Sequence, residues 1–560
     1  MKSNHRPRWN ILPPAPEEYS KTSSLPSLIA QLLYNRGVTK DEAPYFFTKP
    51  YELEDNPYLL TDMSKAVDRI YKAILSGEKI AIYGDFDVDG ITATLILVEG
   101  LSWLGGKITP YIPNRLREGH GQLLALEDLH NQGISLVITV DCGITAINET
   151  RNAQKAGLDL IITDHHTPLA TLRQAIAVIN AKRNNSRYPF CELAGVGIAF
   201  KLLQAIYRND KRKERLTTLL DLVALGSVAD MVPLVGENRY LVREGLKILN
   251  HTKRIGLKEL IKISRLELGK LDAKSISWFL GPRINAASRL GDATISYNLL
   301  ATNSLKEAAS VAAELEATNN ERQNLTRDTL ALAKEKLADK MELPLLIEGD
   351  ESYSIGVIGL VAGKLVDEFH KPAIIISLGP DVCHGSARSI PEFELTTALG
   401  QCQNLLTTFG GHPLAAGFTV TRQNLAQLEN SLMKIAINKL SQLDLRPVLN
   451  IDAEIPLSTL TSDTIKLIQQ LEPFGKGNPH PVFLTKNTKV RECYNFGNSN
   501  NYLKFELQQG NVSWQAVDFH SHKRQAEIPE YIDIVYNLEK RYWKGEEILQ
   551  LNLIDFVLSA

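Results

Sequence analysis

Residues 79–100, KIAIYGDFDVDGITATLILVEG, predict a buried strand, an acidic loop and a helix in immediate succession. KIAIYG (79–84) is a short run rich in β-branched residues, and the apolar stretch that begins at Ile91 is long enough for a buried helix. Between them lie three carboxylates, Asp85, Asp87 and Asp89. A strand, a loop and a helix in this order form the repeating unit of a parallel α/β sheet.

The same pattern recurs twice further along the chain. SLVITV (135–140) precedes the turn sequence DCG, and LDLIIT (158–163) precedes DHH. Continuous apolar runs that alternate with helices are typical of a parallel sheet covered on both faces. We therefore predict an α/β fold for this part of the chain.

The remaining sequence predicts a multidomain protein. One long helix is expected where Pro and Gly are absent from about residue 304, and Gly-rich turns are expected around residues 385 and 410 of a second α/β unit. The last hundred or so residues are rich in short strand patterns, which favour a small barrel such as an OB-fold. The predicted parts are a mostly helical N-terminal lead-in (1–75), a parallel-sheet domain (76–303), the connecting helix (304–340), a smaller α/β domain (341–445) and an all-β OB-fold (446–560).

Composition narrows the class of protein. The 560 residues include 44% hydrophobic and 22% charged residues, as in ordinary globular proteins. The 62 Lys and Arg nearly balance the 64 Asp and Glu, so nucleic-acid binding would need local basic surfaces. An apolar run long enough to cross a membrane and a signal-peptide core are both lacking, so a cytoplasmic protein is expected. The five cysteines form no CxxC pair, so any metal must use oxygen and imidazole ligands.

Acidic residues follow each of the three predicted strands. Because the carboxyl ends of parallel strands line one crevice, the Asp85 to Asp89 loop is expected to meet Asp141 and the triplet that begins at Asp164. Asp230, which follows an apolar helical stretch, offers one more carboxylate that the sequence alone does not bring to this crevice. Crowded carboxylates require cations or strong hydrogen bonds to stay ionised. Carboxylates with imidazoles suit Mn²⁺ or Mg²⁺, and their number fits two ions.

Two simpler interpretations compete with a metal centre. A single Asp after a strand often caps the next helix, but capping explains neither the Asp-x-Asp-x-Asp spacing nor the adjacent histidines. An EF-hand loop needs Glu at its twelfth position and has no long apolar helix that starts at its seventh. This segment lacks that Glu and has such a helix. The conjunction of motifs therefore favours a metal-dependent phosphoesterase or nuclease.

The segments GDFDVDG, VDCG, TDHH and SVADMVPL are similar to the four signature motifs of the DHH phosphoesterase superfamily. YIPNRLREGHGQ, LAGVGIAFK, GPRINAASRLG, GSARSI, FGGHPLAAGF and LEPFGKGNP further resemble motifs of the RecJ exonuclease family, so that the resemblance extends from about residue 40 to the end. It implies a DHH domain, a DHHA1-type domain and an OB-fold. It also implies a 5′ to 3′ exonuclease that degrades single-stranded DNA to mononucleotides in recombination and mismatch repair.

The resemblance also implies roles for individual residues. Asp141 would bridge two Mn²⁺ or Mg²⁺ ions, His166 would face the scissile phosphate, and Asp85 and Asp164 would orient the ligands. The implied metal ligands are Asp87, Asp89, Asp141, His165 and Asp230. The implied substrate-binding residues are Arg115, His120, Arg283 or Arg289, Ser386, Arg388, Gly410, Gly411 and His412, with Ser386 and Arg388 on the 5′-phosphate.

Three positions depart from the family pattern. His120 stands where Tyr is usual, Ser354 where His is frequent, and Cys142 where Asn is common. None of them is an implied metal ligand, so we expect altered kinetics rather than a different reaction.

The OB-fold is expected to grip the strand. KRYWKGE (540–546) combines basic and aromatic residues, and Trp514, Phe519 and His520 precede Lys523 and Arg524. Core packing is an equally good explanation for each aromatic residue. The resemblance implies a single-strand-binding protein and a RecQ-type helicase as partners of a monomeric enzyme that acts at the 5′ end of single-stranded DNA.

Two other functions remain open. A DHH phosphodiesterase could act on short oligonucleotides or cyclic dinucleotides, but it would not need the C-terminal barrel. A non-catalytic replication scaffold could lose its metal ligands, whereas this sequence keeps the whole set.

Overall fold

The computed structural model describes residues 6–23, 25–47, 56–119, 121, 123–168, 175–497, 502–519, 528–543 and 546–559. The predictions made for His120, His520, Lys523, Arg524 and the side chains of residues 540–544 fall outside this description. Among the described helices, none is long and apolar enough to cross a membrane.

The N-terminal segment contains β1 (Arg8–Ile11), α1 (Glu17–Ser23) and α2 (Ser27–Asn35). Strand β1 pairs in parallel with residues 448–451, near the other end of the chain. Helix α2 buries Ile29, Leu32 and Leu33 in the hydrophobic core of the C-terminal domain. The lead-in predicted as mostly helical therefore also contains a strand, and its apolar face is covered by the C-terminal domain.

The first α/β domain is built on a parallel sheet of five described strands in the order β3-β2-β4-β5-β6. The strands are β2 (Lys79–Tyr83), β3 (Lys107–Tyr111), β4 (Ile134–Val140), β5 (Asp159–Thr163) and β6 (Ala177–Ile179). The helices are α3 (Met63–Leu75), α4 (Val88–Ser102), α5 (Arg115–Glu118), α6 (Leu126–Asn131), α7 (Ile147–Lys155), α8 (Gly195–Ile206), α9 (Leu220–Ala229), α10 (Gly236–Leu249), α11 (Ile255–Ile263), α12 (Ala273–Ser275), α13 (Gly281–Leu290) and α14 (Thr294–Ala301).

Helix α4 lies at the centre of this domain. It is apolar nearly all round and packs against α8 and α9 as well as the sheet, which matches its continuous hydrophobic sequence. Strands β2, β4 and β5 are neighbours, so the loops after their carboxyl ends open at one edge of the sheet.

The long connecting helix is α15 (Leu305–Lys336). Its first turn is capped by Ser304, whose hydroxyl accepts a hydrogen bond from the amide of Glu307 at 3.3 Å. It packs against α11, α13 and α14 of the first domain and against residues 355–369 and 346–350 of the second, so the predicted connection between the two α/β domains is present.

The second α/β domain has a mixed sheet in the order β10-β11-β9-β8-β7. Its described elements are β7 (Leu346–Asp350), α16 (Ile355–Phe369), β8 (Ala373–Ser377), β9 (Val382–Arg388), α17 (Leu395–Gln401), β10 (Leu406–His412), β11 (Ala415–Thr421) and α18 (Leu425–Leu440). The turns predicted around residues 385 and 410 are wrong, because both positions lie within strands. At Gly385 the missing side chain makes room for a neighbour: a Cβ would lie 2.1 Å from the ring of Phe418.

The C-terminal domain is a β-barrel. Its elements are β12 (Val448–Ile451), β13 (Ala453–Glu454), α19 (Ser462–Gln469), β14 (Phe483–Phe496), β15 (Tyr502–Gln509), β16 (Val512–Asp518), β17 (Tyr531–Trp543) and β18 (Glu546–Leu558). Strand β14 pairs with both β15 and β17, which closes the barrel. Before β14, the Lys476 carbonyl accepts a hydrogen bond from the amide of Leu234 at 2.7 Å, so this domain contacts the first one just after Asp230.

Candidate metal centre and strand-binding cleft

Carboxylates from separate elements converge on His165. Its Nε2 lies 3.1 Å from Asp141 Oδ1, 3.7 Å from Asp230 Oδ2 and 4.0 Å from Asp89 Oδ2. Asp89 is in the first turn of α4, Asp141 and His165 follow β4 and β5, and Asp230 follows α9. The predicted meeting of the strand-end loops is therefore present, and Asp230 joins it.

The donor atoms form three overlapping groups, within each of which they lie no more than 4.8 Å apart. Asp141 and His165 each belong to two of these groups. The groups are Asp141, His165 and His166; Asp89, His165 and Asp230; and Asp85, Asp87 and Asp141. A set of carboxylates with imidazoles suits Mn²⁺ or Mg²⁺.

Backbone amides hold the carboxylates in place. Asp87 caps α4, and its Oδ1 accepts hydrogen bonds from the amides of Asp89 and Gly90 at 2.9 and 3.1 Å. The carboxylate of Asp89 accepts hydrogen bonds from the amides of Gly195 and Val196 at 2.6 and 2.8 Å. Those two amides are at the N-terminus of α8, where unpaired donors favour negative charge. Sequence reasoning gave no role to this helix start, although LAGVGIAFK is rich in small residues.

Asp141 has a constrained backbone and a tightly packed side chain. Its φ is 61°, a left-handed conformation that Asp tolerates better than most residues. A Cβ on Gly195 would lie 2.6 Å from the Asp141 Cβ, so only glycine fits opposite it. The approach of α8 to the carboxylate centre therefore depends on Gly195.

Asp164 orients the two histidines. Its Oδ1 accepts hydrogen bonds from the amides of His165 and His166 at 2.7 and 3.0 Å, and lies 2.8 Å from Nδ1 of His166. Its Oδ2 accepts a hydrogen bond from the amide of Ile144 at 3.0 Å. Burial alone would raise the pKa of Asp164, but the His166 hydrogen bond and charge lower it to about 2. This carboxylate stays ionised and fixes the imidazoles.

The central carboxylates are harder to ionise. Burial, followed by the charge of Asp87, raises the pKa of Asp89 to about 7. Burial and the surrounding carboxylates raise the pKa of Asp141 and of Asp230 well above the ordinary value. Mutual repulsion of this kind is relieved by bound cations.

Four arginines form a cluster, Arg115, Arg289, Arg322 and Arg388, and two of them, Arg115 and Arg289, interact electrostatically with Asp87 of the carboxylate centre. Burial, followed by the charges of the other three, lowers the pKa of Arg289 to about 9. Within the described residues, no carboxylate forms an ion pair with Arg289. Arg115 stacks over the Phe86 ring at 4.9 Å, and burial lowers its pKa although the charges of Asp85 and Asp87 raise it.

The arginine cluster combines residues of both α/β domains. Arg388 is in β9 of the second domain and donates to the Ser386 hydroxyl at 3.4 Å and to the Ala387 carbonyl at 2.8 Å. Arg322, in α15, donates to Asn319 Oδ1 at 2.9 Å. The sequence did not indicate Arg322 as a binding residue, because it lies within an ordinary helical pattern. Clustered guanidinium groups without carboxylate partners are suited to bind a phosphate.

Arg283 is placed differently from Arg289. Its Nε donates to Glu316 Oε2 at 2.5 Å and its Nη1 donates to the Phe279 carbonyl at 2.9 Å. Its charge is therefore compensated by α15. Of the two alternatives left open by the sequence, Arg289 is the one that has no carboxylate ion pair among the described residues and lies among other arginines.

The FGGH motif faces the metal centre from the second domain. It forms the end of β10, an edge strand, in which Gly410, Gly411 and His412 are exposed. The rings of His412 and His166 are nearly parallel, with centroids 6.5 Å apart and planes inclined by 11°. The two α/β domains therefore form opposite walls of one cleft.

The barrel exposes an aromatic cluster. Trp514 is half-buried against the barrel core, whereas Phe519 is 39% exposed. The Phe519 ring lies 5.9 Å from that of Phe496 and 5.3 Å from that of Tyr502. Phe496 and Tyr502 were missed by sequence reasoning because their strands bring them together only in the folded barrel.

Comparisons with known protein families match the two α/β domains and the C-terminal barrel. Residues 79–227 match the DHH family N-terminal domain, residues 342–439 the DHHA1 domain, and residues 451–555 the RecJ OB domain. The chain is 36% identical to the single-stranded-DNA-specific exonuclease RecJ of Bacillus subtilis over 99% of this chain and 71% of the relative. Identity to the Haemophilus influenzae RecJ is 30% over 90% of this chain and 91% of the relative.

A solved structure shows the same architecture. The crystal structure of RecJ from Thermus thermophilus in complex with Mn²⁺ superposes with a TM-score of 0.83 and 28% identity, covering 99% of this chain and 80% of that chain. The parallel sheet, the carboxylate–imidazole centre and the facing second domain define a DHH-type phosphoesterase. Within that class, the chain belongs to the RecJ family of single-stranded-DNA-specific exonucleases.

Proposed function

We propose that this protein is a metal-dependent 5′ to 3′ exonuclease that degrades single-stranded DNA to mononucleotides. The observation that carries the proposal is the position of the arginine cluster beside the carboxylate–imidazole centre. Arg115 interacts electrostatically with Asp85 and Asp87 as well as with Arg289 and Arg388. A phosphate bound by the arginines would therefore lie close to the metal centre, as an enzyme that removes terminal nucleotides requires.

Asp87, Asp89, Asp141, His165 and Asp230 fit a pair of Mn²⁺ or Mg²⁺ ions. They are oxygen and imidazole donors. Burial and repulsion between the carboxylates disfavour the charges of Asp89, Asp141 and Asp230 in the absence of cations. When bound, two such ions supply an activated water and a clamp on the phosphoryl oxygens. Asp141 would be shared between the ions, since it belongs to two of the donor groups.

The protein groups orient the substrate. Arg289 and Arg388, with Arg115 and Ser386, would hold the terminal 5′-phosphate by charge-assisted hydrogen bonds. Asp164 keeps a proton on Nδ1 of His166 and so leaves Nε2 to contact the scissile phosphate. The exposed glycines beside His412 let the substrate backbone approach the second domain closely.

The barrel would bind the rest of the strand. Its exposed cluster of Phe496, Tyr502 and Phe519 offers ring faces on which bases can stack. We further propose that the enzyme acts as a monomer in the cytoplasm, in recombination and mismatch repair. A single-strand-binding protein and a RecQ-type helicase would supply its substrate.

A length series of oligonucleotides tests the function. The wild-type chain with Mn²⁺ should release 5′-mononucleotides from long single strands, spare blunt duplexes and lose activity in EDTA. A substrate labelled at its 5′ end should give labelled mononucleotide first. Preference for dinucleotides or cyclic dinucleotides over long strands would favour the small-substrate phosphodiesterase, and strand binding without Mn²⁺-dependent release would favour the scaffold.

A further inference from the structure

An interrupted helix of the first α/β domain exposes two aromatic side chains. Helices α12 and α13 are joined by a π-helical turn, Ile276–Leu280, into one continuous helical segment over residues 273–290. On this turn Trp278 is 74% exposed and Phe279 is 42% exposed. A tryptophan so open to solvent is uncommon, and π turns within α-helices are frequent at functional sites.

This helical segment connects the three regions that the substrate must contact. At its start, the Lys274 Nζ lies 3.2 Å from Glu539 Oε1 of the barrel. At its end, Arg289 belongs to the arginine cluster. In between, Asn285 Oδ1 accepts a hydrogen bond from the Val88 amide of the metal-binding loop at 3.1 Å.

The π turn itself lies against α9, the helix that precedes Asp230. A Cβ on Gly281, the residue that follows the turn, would lie 3.5 Å from the Cβ of Ala229. Trp278 precedes Asn285 by about two helical turns. The exposed aromatic residues are therefore on the barrel side of the metal centre, and the arginine cluster is on the other side.

We propose that Trp278, with Phe279 beside it, is a base-stacking platform for the nucleotides that lie between the metal centre and the barrel. This inference rests on the proposed function, because the direction of the DNA strand along the helix follows from a 5′-phosphate bound at the Arg289 end. The scissile bond then lies near Asn285, and the following nucleotides pass Trp278 on the way to the barrel. An aromatic face binds any base, as a non-specific nuclease needs.

A protein ligand is the competing occupant. Phe279 also lines a cavity of about 910 Å³ between α11 and α15, together with Ile263, Leu266 and Arg283. Trp278 does not line that cavity. Its place on the same helix as Asn285 and Arg289 favours the DNA strand.

Steady-state kinetics with two substrates tests the platform. A long 5′-phosphorylated oligonucleotide reaches Trp278, whereas a 5′-phosphorylated dinucleotide ends before it. Trp278→Ala should raise KM for the long strand by about tenfold, the effect of one lost base-stacking contact, and leave its kcat and the dinucleotide kinetics unchanged. Trp278→Phe should restore most of the affinity. Leu305→Ala, which removes another exposed apolar side chain (62% exposed), is the matched control and should change neither substrate.

Fluorescence gives an independent measurement. In an Asp141→Asn background that prevents cleavage, oligo(dT) should quench tryptophan emission, and Trp278→Phe should remove most of that quenching. An unchanged KM for the long strand in Trp278→Ala, or equal losses on both substrates, would overturn the platform while the exonuclease activity stands. Failure of the wild-type chain to degrade the long strand would instead overturn the proposed function and this inference with it.

Discussion

The imidazole of His412 lies nearly parallel to that of His166, with the ring centroids 6.5 Å apart. The first residue is at the end of an edge strand in the second domain, and the second is tied to Asp164 at the metal centre. The second domain therefore places a side chain opposite the carboxylate–imidazole centre, across the cleft.

Replacing His412 tests this contact. We expect His412→Ala to lower kcat by roughly 10²-fold, within the range of a lost proton-transfer or phosphate-positioning group. The melting temperature should not change, because His412 is exposed. Thr407→Ala, an exposed position in the same strand, is the control; equal effects of both variants would mean that the strand rather than the imidazole matters.

Asp141→Asn should abolish turnover and leave DNA binding largely intact. The substitution removes the carboxylate that belongs to two of the three candidate metal-ligand groups, and it does not touch the barrel. It also removes a charge that burial and neighbouring carboxylates make unfavourable. The metal-free variant should therefore melt at a higher temperature than the metal-free wild type at pH 8. Nucleotide release with Mn²⁺, strand binding and thermal melts in EDTA check these outcomes; retained turnover would contradict the assignment.

Arg289 and Arg283 should behave differently. We expect Arg289→Ala to reduce the preference for a 5′-phosphate over a 5′-hydroxyl end, because Arg289 has no carboxylate partner among the described residues and lies among other arginines. Arg283→Ala breaks an ion pair with Glu316 and should lower thermal stability with the end preference unchanged. Kinetics on paired 5′-phosphate and 5′-hydroxyl oligonucleotides separate the two, and the opposite pattern would refute this assignment.

Two glycines of α8 provide a matched test of packing at the metal centre. Gly195→Ala would place a Cβ 2.6 Å from that of Asp141 and should lower kcat by roughly 10²-fold, as misplacement of a catalytic group by about 1 Å does. For Gly197→Ala the nearest atoms are those of the Leu193 side chain, at 3.3 Å or more, so this variant should keep near-normal activity. Titration with Mn²⁺ should show weaker metal binding in the first variant alone. Normal activity of Gly195→Ala would show that the centre tolerates displacement of α8.

His480 should make the protein sensitive to acid. Burial, followed by the charge of Lys274, lowers the pKa of His480 to about 4, against an unfolded value of about 6.5. Its contribution to stability is therefore complete above pH 6.5 and is lost as the pH falls toward 4. Over this interval the free energy of unfolding falls by about 3 kcal/mol at most. His480→Phe should flatten the dependence of the free energy of unfolding on pH in that interval, whereas an unaltered slope would assign the acid sensitivity to other groups.

Local sequence patterns predicted the part of the site that depends on the sheet. Asp87, Asp141 and Asp164 follow apolar strands, and parallel strands bring such positions together whatever the rest of the chain does. The long helix was equally predictable, because its composition favours no other structure.

Contacts between domains could not be predicted from local sequence patterns. Arg289, Arg322 and Arg388 come from three separate elements. The periodicity of the sequence within each element does not indicate that these elements meet. Gly385 was interpreted as a turn residue because glycine commonly marks turns, but its role is to admit the ring of Phe418 from the neighbouring strand. The partner that explains such a residue is distant in sequence.

The pairing of β1 with β12 has a consequence for biosynthesis. About 440 residues separate Arg8 from Val448, so the first strand has no partner when it leaves the ribosome. At a usual translation rate it would wait for roughly 20 to 90 s with its hydrogen-bonding edge open. Both α/β domains can be completed in that interval. A chaperone that shields nascent N-terminal segments would therefore increase the yield of this protein, and a bulky N-terminal fusion would disturb its last domain rather than its first.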